Sequence, residues 1–534
     1  MNRFHVVCLA LPLALALGCP PKEPVLPAGS PPASDLTFLI DSSQARSFIH
    51  RTIYGTNAPD WSGHSRYLTL ARVGGNRLTA YNWENNASNA GSDWFHQNDD
   101  LMGGGNVPGE AMRRPVDAAF AAGASIVMTI PMAGYVAADK NGGGDVNQTP
   151  DYLNVRFKRS LPRKGSAFTL APNPNDAFVY QDEFVSWLEN RFPGATTRFD
   201  RRLFFCLDNE PDLWSSTHAR IHPTPVRYDE LLERTLATAA AIKDVAPYAF
   251  VFGPVSYGWN GYVNLQNAPD SGAKGDFLDW YLREVAREEA RVGRELVDVL
   301  DLHWYPEAQG NGERITGTGT SAAVVQARVQ APRSLWDPTY TETSWITQWS
   351  TLGPIALLPR LSAKIAAQAP GKLLAFTEYN YGGGQHISGG IAQADVLGIF
   401  GREGVFAATL WELSGDERFN YAAFQMYRNY DGAGGAFGNT SISATTSDVP
   451  RSSIYASVDA ANAQRMVLVA INKHSAPLTA GVAVTHTLRF ARAEVYRLTS
   501  AAAAPVRAAD VALAPNGTFQ VTLPAMSVST LVLR

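Results

Sequence analysis

The chain has 534 residues, of which 45% are hydrophobic and 18% charged, and its formal net charge is −4. A chain of this length exceeds what one hydrophobic core usually supports, so we expect one large domain and a smaller one. The mildly acidic balance argues against a strongly basic nucleic-acid-binding protein, and we expect no nucleic acid among its partners.

The first 19 residues differ in kind from the rest of the chain. They read "MNRFHVVCLALPLALALGC", with Arg3 ahead of an apolar stretch and Gly18 directly before Cys19. This pattern is typical of an export signal. Its end is similar to the lipobox of bacterial lipoproteins, which favours an exported protein held at the cell envelope by a lipid on Cys19. Signal cleavage with secretion is the alternative, and we expect no other membrane contact.

Two short segments precede the main domain. Residues 20–34, "PPKEPVLPAGSPPAS", carry little apolar surface and are predicted to be an unfolded linker. Residues 35–50 include "LTFLIDSS", an apolar strand that we expect to pair with the C-terminal domain. Only Cys206 lies beyond the signal, so no disulfide within the mature chain is expected and Cys206 is predicted to be buried.

Residues 51–420 alternate short apolar runs with helical stretches. The runs are "IYG" from 53, "LARVGG" from 70, "SIVMTIP" from 125, "LFFCL" from 203, "FVFGPV" from 250, "VLDLHWY" from 299, "LLAFTEY" from 373 and "FAATLWEL" from 406. Helical stretches begin at 182, 228, 276 and 387, with Asp229 and Asp276 as candidate caps. Several runs are apolar throughout, as in strands buried on both faces of a parallel sheet. The pattern predicts an α/β fold, a (β/α)₈ barrel.

Residues 421–534 have a different texture, with alternating polarity, turn residues and no long helical period. This predicts an antiparallel β-sandwich. All 12 tryptophans lie between Trp61 and Trp411, so the sandwich has no tryptophan for stacking on a sugar. We therefore expect it to support the barrel, and we expect the protein to be a monomer.

Polar side chains end two of the predicted strands. "FFCLDNEPDLW" takes the fourth strand into Asp208, Asn209 and Glu210 before Pro211 stops it, and "FTEYNYGGG" places Glu378 at the end of the seventh. Active sites of such barrels lie at the C-terminal ends of the strands. We therefore expect Glu210 and Glu378 to face each other across the barrel mouth.

Two facing carboxyl groups are what cleavage of a glycosidic bond requires. One donates a proton to the leaving oxygen, and the other attacks the anomeric carbon. We assign Glu210 as acid/base and Glu378 as nucleophile, and a separation of about 5–5.5 Å would give retention of configuration. The alternative is that each is a solvated loop carboxylate.

Five blocks carry a family resemblance: "RVGGNRLTAYNWENN", "AGYVAADKNG", "LDNEPDLWSSTHARIHP", "DLHWYPE" and "FTEYNYGG". In this order they are similar to glycoside hydrolase family 44, a group of clan A glycosidases, from residue 50 to about 415. The resemblance implies a barrel with a β-sandwich and endo-acting hydrolysis of β-1,4-glucans including xyloglucan. No required cofactor is expected, since nothing in the sequence suggests an organic one. The resemblance places the acid/base on Glu210 and the nucleophile on Glu378. An exo-acting clan A glycosidase, of β-xylosidase or glucuronidase type, and a surface glycan-binding protein without turnover are the alternatives.

Other polar residues near the strand ends have candidate roles. We expect Asn209 to hydrogen-bond the sugar 2-hydroxyl, and Arg72 to keep Glu378 ionised. Tyr305 is expected to donate a hydrogen bond to Glu378, with His303 beside it. The plainer alternatives are a turn amide for Asn209, a tie between strands for Arg72 and a structural hydrogen bond for His303.

Aromatic faces bind the apolar faces of pyranose rings, so a glucan groove needs several exposed aromatic residues. The remaining substrate-binding candidates are Asn76, Trp83, Trp214, Trp304, Tyr379 and Trp411, with Trp345 and Trp349 as weaker ones. Trp187 and Trp280 are predicted to be core residues. No metal-ligand motif is assigned, although Asp139, Asn141 and Asp145 resemble part of a calcium loop and leave structural calcium open.

Overall fold

The computed structural model describes residues 25–459 and 462–534. In this part of the chain, eight parallel strands close into a barrel. They are Gly55–Asn57, Leu70–Val73, Ser125–Ile130, Leu203–Leu207, Val251–Ser256, Val299–Trp304, Leu373–Tyr379 and Ala407–Leu410. Each overlaps one of the predicted apolar runs, the first by Gly55 alone, so the predicted α/β barrel is confirmed.

Helices surround the barrel and connect its strands. The longer ones are Glu110–Ala121, Gln181–Arg191, Tyr228–Val245, Phe277–Val292, Ala322–Gln330, Leu357–Gln368, Ile387–Glu403 and Arg418–Arg428. Short helices are Asn76–Thr79, Tyr152–Val155, Trp214–Thr217, Trp259–Asn264 and Ser271–Lys274, with single turns at Arg51–Ile53, Gly91–Trp94, Val146–Gln148, Pro211–Leu213, Ala331–Leu335 and Ile346–Ser350. Asp276 caps its helix by accepting the Asp279 N–H. Asp229 instead lies in the first turn, and Asp270 accepts the Tyr228 N–H there.

The fourth strand shows why the barrel runs read as apolar throughout. Phe204 and Cys206 point into the barrel, while Leu203, Phe205 and Leu207 face the helices, and all are buried. The Phe204 ring packs against Phe252 and Phe406 inside the barrel. Burial raises the pKa of the Cys206 thiol to about 11, as expected for a structural cysteine.

Smaller sheets decorate the loops at the barrel mouth. They are formed by Tyr135–Ala137, Phe157–Leu161 and Phe178–Tyr180, by Ser88–Asn89 with Asn98–Asp99, and by Gln309–Gly310 with Glu313–Arg314. No helix in the described residues is long and apolar enough to cross a membrane.

The second domain is a mostly antiparallel β-sheet folded around its own core. Its C-terminal strands are Thr440–Thr446, Ser452–Asp459, Asn462–Asn472, Leu478–Thr485, Arg492–Thr499, Ala502–Ala512, Thr518–Leu523 and Ser527–Leu533. Leu36–Asp41 joins them, antiparallel to Thr440–Thr446 and parallel to Leu478–Thr485. Ser47–Phe48 pairs with Thr440–Ser441.

The structure shifts the boundary expected between the barrel and the C-terminal domain. The helix Arg418–Arg428 crosses the expected boundary at 420, and the first C-terminal strand begins only at Thr440. The helix has buried residues with the spacing of one helical face, namely Phe419, Ala422, Ala423, Met426 and Tyr427. This spacing is visible in the sequence.

Residues 25–34 do not behave as the unfolded linker predicted from composition. Gly29 N donates to Asn516 O at 2.9 Å, and Ser34 Oγ accepts from Gly481 N at 2.9 Å. The prediction is wrong here because backbone and hydroxyl groups attach this segment to the sandwich without apolar side chains. Cys8 and Cys19, with the rest of the predicted signal, lie outside the described residues.

The two domains share a buried interface. The strand Asn462–Asn472 contributes to both cores, with Leu468 in the sandwich core while Val467 and Val469 pack against the barrel. Lys473 Nζ lies 2.6 Å from Asp395 Oδ2, and both side chains are 1% exposed. The interface therefore includes a buried ion pair as well as apolar contact.

Candidate active site

The fourth barrel strand ends in a sharp turn that presents Glu210. Asp208 and Glu210 both adopt left-handed backbone conformations, with φ of 65° and 43°. Asp208 stabilises the turn by accepting hydrogen bonds from Thr79 Oγ1 at 2.6 Å and Asn209 N at 2.8 Å. Pro211 then begins a short helical turn. The polar residues after "FFCL" thus form a fixed turn at the barrel mouth, as the sequence predicts.

Glu378 lies at the end of the seventh strand and is surrounded by hydrogen-bond donors. Arg72 Nη1 is 2.6 Å from its Oε1, and Tyr305 Oη donates to its Oε2 at 2.8 Å. Arg72 is fully buried and Glu378 is 5% exposed. A guanidinium at this distance forms a charge-assisted hydrogen bond to the carboxyl group. Both contacts match the sequence-based expectations.

The two carboxyl groups meet beside His303. His303 Nδ1 lies 2.9 Å from Glu210 Oε1 and 3.4 Å from Glu378 Oε2, and the ligand-type atoms of all three residues lie within 4.8 Å of one another. Burial raises the pKa of Glu210 to about 7, with Asp93 adding to the shift and Arg72 opposing it. Burial lowers the pKa of His303 to about 3, so its ring is neutral. The site therefore pairs a carboxyl group that keeps its proton near neutrality with a carboxyl group that contacts a cation.

Asn209 connects the two halves of the site. Its Oδ1 accepts from Arg72 Nη2 at 2.8 Å and from Gly75 N at 3.2 Å, and its Nδ2 donates to Asn76 Oδ1 at 3.2 Å. These partners fix which end of the amide faces each neighbour. Asn76 in turn donates to Asp93 Oδ1 at 2.8 Å.

Concave surfaces border the carboxyl pair on both sides. The Trp411 side is lined by Asn57, Arg72, Gly75, Asn76, Asp93, Met102 and Trp411. The Trp345 side is lined by Tyr257, Trp259, Trp304, Tyr305, Glu307, Arg314 and Trp345. Arg72 and Tyr305, which both contact Glu378, belong to opposite sides. Gly75, at φ 85°, lets the backbone lie against Trp411, since a Cβ there would come within 2.7 Å of the indole.

Three aromatic candidates do not reach this groove. Trp83 and Tyr379 are fully buried, Trp83 stacking on Phe184 and Tyr379 accepting from Gln393 at 2.8 Å. Trp214 is also fully buried and directs its Nε1 to Asp208 Oδ1 at 3.3 Å. The expectation that they bind substrate is wrong because all three pack inside the protein. Trp83 packs on the helix Gln181–Arg191, Tyr379 on Phe400 of the helix Ile387–Glu403, and Trp214 on the turn at Asp208.

The other aromatic predictions divide. Trp304 is 1% exposed and donates to Tyr381 Oη at 3.2 Å, so only its edge borders the groove. Trp345 lines the groove, whereas Trp349 is 80% exposed on the surface. Trp280 is a core residue and Trp187 packs against the core, as predicted.

Tyr257 and Trp259 line the groove but are absent from the sequence-based candidates. The signal was available, because "SYGWN" follows the fifth strand directly, as the other aromatic candidates follow theirs. Asn57, at the end of the first strand, was also missed, and its Oδ1 accepts from Arg72 Nη1 at 3.2 Å.

The loop that resembles part of a calcium site does not fit a cation. Asp139 is engaged by Arg156 at 2.7 Å and Asp145 by Arg220 at 2.6 Å. Arginine charges already neutralise these carboxylates. Among the described residues, Glu210, His303 and Glu378 have the spacing of a metal site, but the Arg72 guanidinium beside them opposes a second cation.

Comparisons with known proteins agree with this geometry. Residues 87–308 match the model of glycoside hydrolase family 44. The chain is 41% identical to "Endoglucanase A" of Paenibacillus lautus over 538 residues, covering 98% of this chain and 76% of that protein. Among solved structures, the Cel44A endoglucanase of Clostridium thermocellum is 40% identical with a TM-score of 0.89, covering 94% of this chain and 100% of that one.

A second solved structure is a Paenibacillus polymyxa xyloglucanase from the same family, described with xyloglucan. It is 40% identical with a TM-score of 0.88, covering 93% of this chain and 99% of that one. Identity at this level over nearly the whole of both chains confirms the predicted family. The chain belongs to glycoside hydrolase family 44.

Proposed function

We propose that the protein is a retaining endo-hydrolase of β-1,4-glucan backbones, acting on cellulose-type glucans or xyloglucan. The observation that carries this proposal is the proximity of Glu210 and Glu378, whose carboxyl oxygens approach within 4.8 Å. Retaining glycosidases hold their two carboxyl groups about 5–5.5 Å apart, whereas inverting enzymes leave room for a water. The family members known as an endoglucanase and a xyloglucanase support the substrate class.

The first step follows from the different surroundings of the two carboxyl groups. Glu210 holds its proton up to a pH of about 7 and gives it to the glycosidic oxygen as the bond to C1 breaks. Glu378 attacks C1 from the opposite face, and a glycosyl ester forms while the shortened chain leaves as an alcohol. In the second step, Glu210 removes a proton from water, which attacks C1 and releases Glu378 as carboxylate.

Neighbouring groups support the nucleophile and the sugar. Arg72 and Tyr305 hold the two oxygens of Glu378 in place before and after the ester forms. Asn209 is oriented by Arg72 and Asn76 and is suited to bond the 2-hydroxyl of the reacting sugar. The concave surfaces on both sides of the pair support binding of a chain that extends past the cleaved bond, and hence endo action.

A panel of polysaccharides tests this proposal. Purified protein is incubated with xyloglucan, carboxymethylcellulose, mixed-linkage glucan, xylan and mannan, and reducing ends and product sizes are followed with time. We expect intermediate oligosaccharides early, and proton NMR should show the β-anomer as the first product. Monosaccharide alone would support an exo-acting enzyme, and absence of reducing ends would support a binding protein.

We also propose that the chain is exported and anchored through Cys19. The support is the sequence of the first 19 residues, which lie outside the described structure. Cys19→Ala should move the protein from the membrane fraction to the soluble fraction while its specific activity stays unchanged. Equal membrane content of both forms would contradict lipidation at this residue.

A further inference from the structure

The seventh barrel strand is irregular at the residue before Glu378. Towards the sixth strand, Leu302 pairs with Phe376 but the next pair is His303 with Glu378. Towards the eighth strand, Phe376 pairs with Ala408 and the next pair is Tyr379 with Leu410. Both neighbours thus skip one residue over the same stretch. Thr377 is the extra residue of a β-bulge.

The bulge determines where Glu378 points. Ala375 faces the barrel interior, whereas Phe376 and Tyr379 pack against the helices outside. Side chains alternate along a regular strand, so without an extra residue Glu378 would share the outward face of Phe376. With Thr377 inserted, both Thr377 and Glu378 face inwards, and Glu378 reaches Arg72.

Side chains from three other strands satisfy the polar groups that the bulge frees. Asp301, on the sixth strand, accepts from Thr377 N at 3.1 Å and from Thr377 Oγ1 at 2.8 Å. The Thr377 carbonyl accepts from Asn57 Nδ2 at 3.1 Å and from Thr409 Oγ1 at 2.5 Å. Asp301, Thr377 and Thr409 are fully buried, so each of these bonds replaces a costly unpaired group.

We propose that Asp301 is a positioning residue for the nucleophile: it holds the Thr377 bulge that turns Glu378 into the barrel mouth. This rests on the proposed function, in which Glu378 attacks the sugar. Asp301 contacts Thr377 rather than any reacting group, and Asn57 and Thr409 secure the other end of the same peptide unit. Asn57 also bonds Arg72, so the bulge and the cation of the nucleophile share a support.

The test isolates the nucleophilic step. With 2,4-dinitrophenyl β-cellobioside, the leaving group departs without a proton, so the rate of the initial dinitrophenolate burst reports attack by Glu378. Asp301→Ala should slow this burst on the order of 100-fold, because a nucleophile displaced by about 1 Å loses that much. KM should change less than about threefold, since substrate contacts remain.

Two conservative variants keep the test decisive where Asp301→Ala does not fold. Asp301→Asn can still accept a hydrogen bond from Thr377 N. It should therefore slow the burst by no more than about tenfold, compared with the ~100-fold loss expected when the nucleophile is displaced. Thr377→Val removes only the hydroxyl contact and should slow the burst about fivefold. The proposal is overturned if Asp301→Ala and Thr377→Val both have burst rates within twofold of wild type. If Asp301→Ala does not fold, the same result for Asp301→Asn and Thr377→Val overturns it.

Asp298 provides a matched control, because it directly precedes the sixth strand, which carries Asp301. It is a buried carboxyl that accepts from Val251 N at 2.7 Å and pairs with Lys243, at the opposite end of the barrel from Glu378. Asp298→Ala should lower the melting temperature while leaving the burst rate of the folded protein unchanged. An equal burst defect in this variant would show a general structural effect and overturn the positioning role.

Failure of the positioning role is distinguishable from failure of the proposed function. Glu378→Gly should be inactive, and azide should restore release of dinitrophenolate with an α-glycosyl azide as product. If Glu378→Gly retains the burst, Glu378 is not the nucleophile and the proposed function itself is wrong. If azide rescue occurs and Asp301→Ala keeps a normal burst, only the positioning role is wrong.

Discussion

The ends of the fourth and seventh barrel strands carry the same side chain in contrasting surroundings. Glu210 lies in a left-handed turn, and its hydrogen-bond partner within the described residues is the neutral ring of His303. Glu378 lies after a bulge and receives a guanidinium and a phenol. Both side chains are largely buried, but donors collect at Glu378, whereas burial without such donors raises the pKa of Glu210. Two glutamates whose carboxyl oxygens approach within 4.8 Å therefore have different hydrogen-bond partners, which suits them to different roles.

The largest expected effect separates the two glutamates by leaving group. Glu378→Gln should lose on the order of 10⁴-fold or more on both xyloglucan and 2,4-dinitrophenyl β-cellobioside, since both need the attacking carboxylate. Glu210→Gln should lose about 10²–10⁴-fold on xyloglucan only, while the burst with the activated glycoside stays near wild type. Pre-steady-state and steady-state rates check this.

The exposed Glu403, which pairs with Arg402 at the end of a barrel helix, supplies the control for these substitutions. Glu403→Gln should leave both rates unchanged. If Glu210→Gln loses equal activity on the two substrates, Glu210 does not act as the proton donor. The two strand ends would then not have the different catalytic roles assigned to them.

Removing the cation should make the contrast visible in stability as well. Arg72→Met leaves the buried Glu378 carboxylate unpaired, so the free energy of unfolding should fall by about 3–5 kcal/mol. Activity should fall about 100-fold. The double variant with Glu378→Gln should recover much of the stability, whereas adding Glu210→Gln instead should recover little. Urea unfolding measures both, and equal recovery from the two double variants would contradict the assignment of Arg72 to Glu378.

The pH profile should follow Glu210. Its pKa is raised by burial to about 7, and the protonated form is the active one. Activity on xyloglucan should therefore be retained below about 7 and fall as the pH rises through that value, about tenfold per unit. With the dinitrophenyl glycoside the burst should lose this alkaline limb. An unchanged alkaline limb on both substrates would assign it to another group.

The sequence predicts the features of the site that follow from short apolar runs and the polar residues directly after them. The apolar runs locate all the barrel strands, and the polar residues after two of them locate Glu210 and Glu378. Arg72 and Tyr305 follow from the same principle, because strand ends of a closed barrel converge. Glu210 and Glu378 are far apart in sequence, but they end the fourth and seventh strands of one small barrel, so their proximity could be inferred.

Tertiary packing decides what the sequence does not show. Trp83 and Trp411 both follow barrel strands, yet one is fully buried against Phe184 while the other lines the groove. The sequence does not predict the bulge at Thr377 either, because "FTEY" has the pattern of a regular strand. Only the register with the two neighbouring strands, set by residues far along the chain, shows that Glu378 faces inwards.

The smallest effect concerns a single donor at Glu378. Burial and the nearby Glu378 raise the pKa of Tyr305, so its hydroxyl stays protonated and serves as a donor to Oε2. Tyr305→Phe should slow the dinitrophenolate burst about tenfold, in line with loss of one hydrogen bond to a charged group. Tyr281→Phe, which alters a buried tyrosine on the outer helix Phe277–Val292, should leave the burst unchanged.

Because Glu210 receives no bond from Tyr305, the alkaline limb on xyloglucan should keep its position in Tyr305→Phe. A shift of that limb would mean that this hydroxyl acts on both carboxyl groups, and that the two strand ends are less independent than their hydrogen bonds indicate.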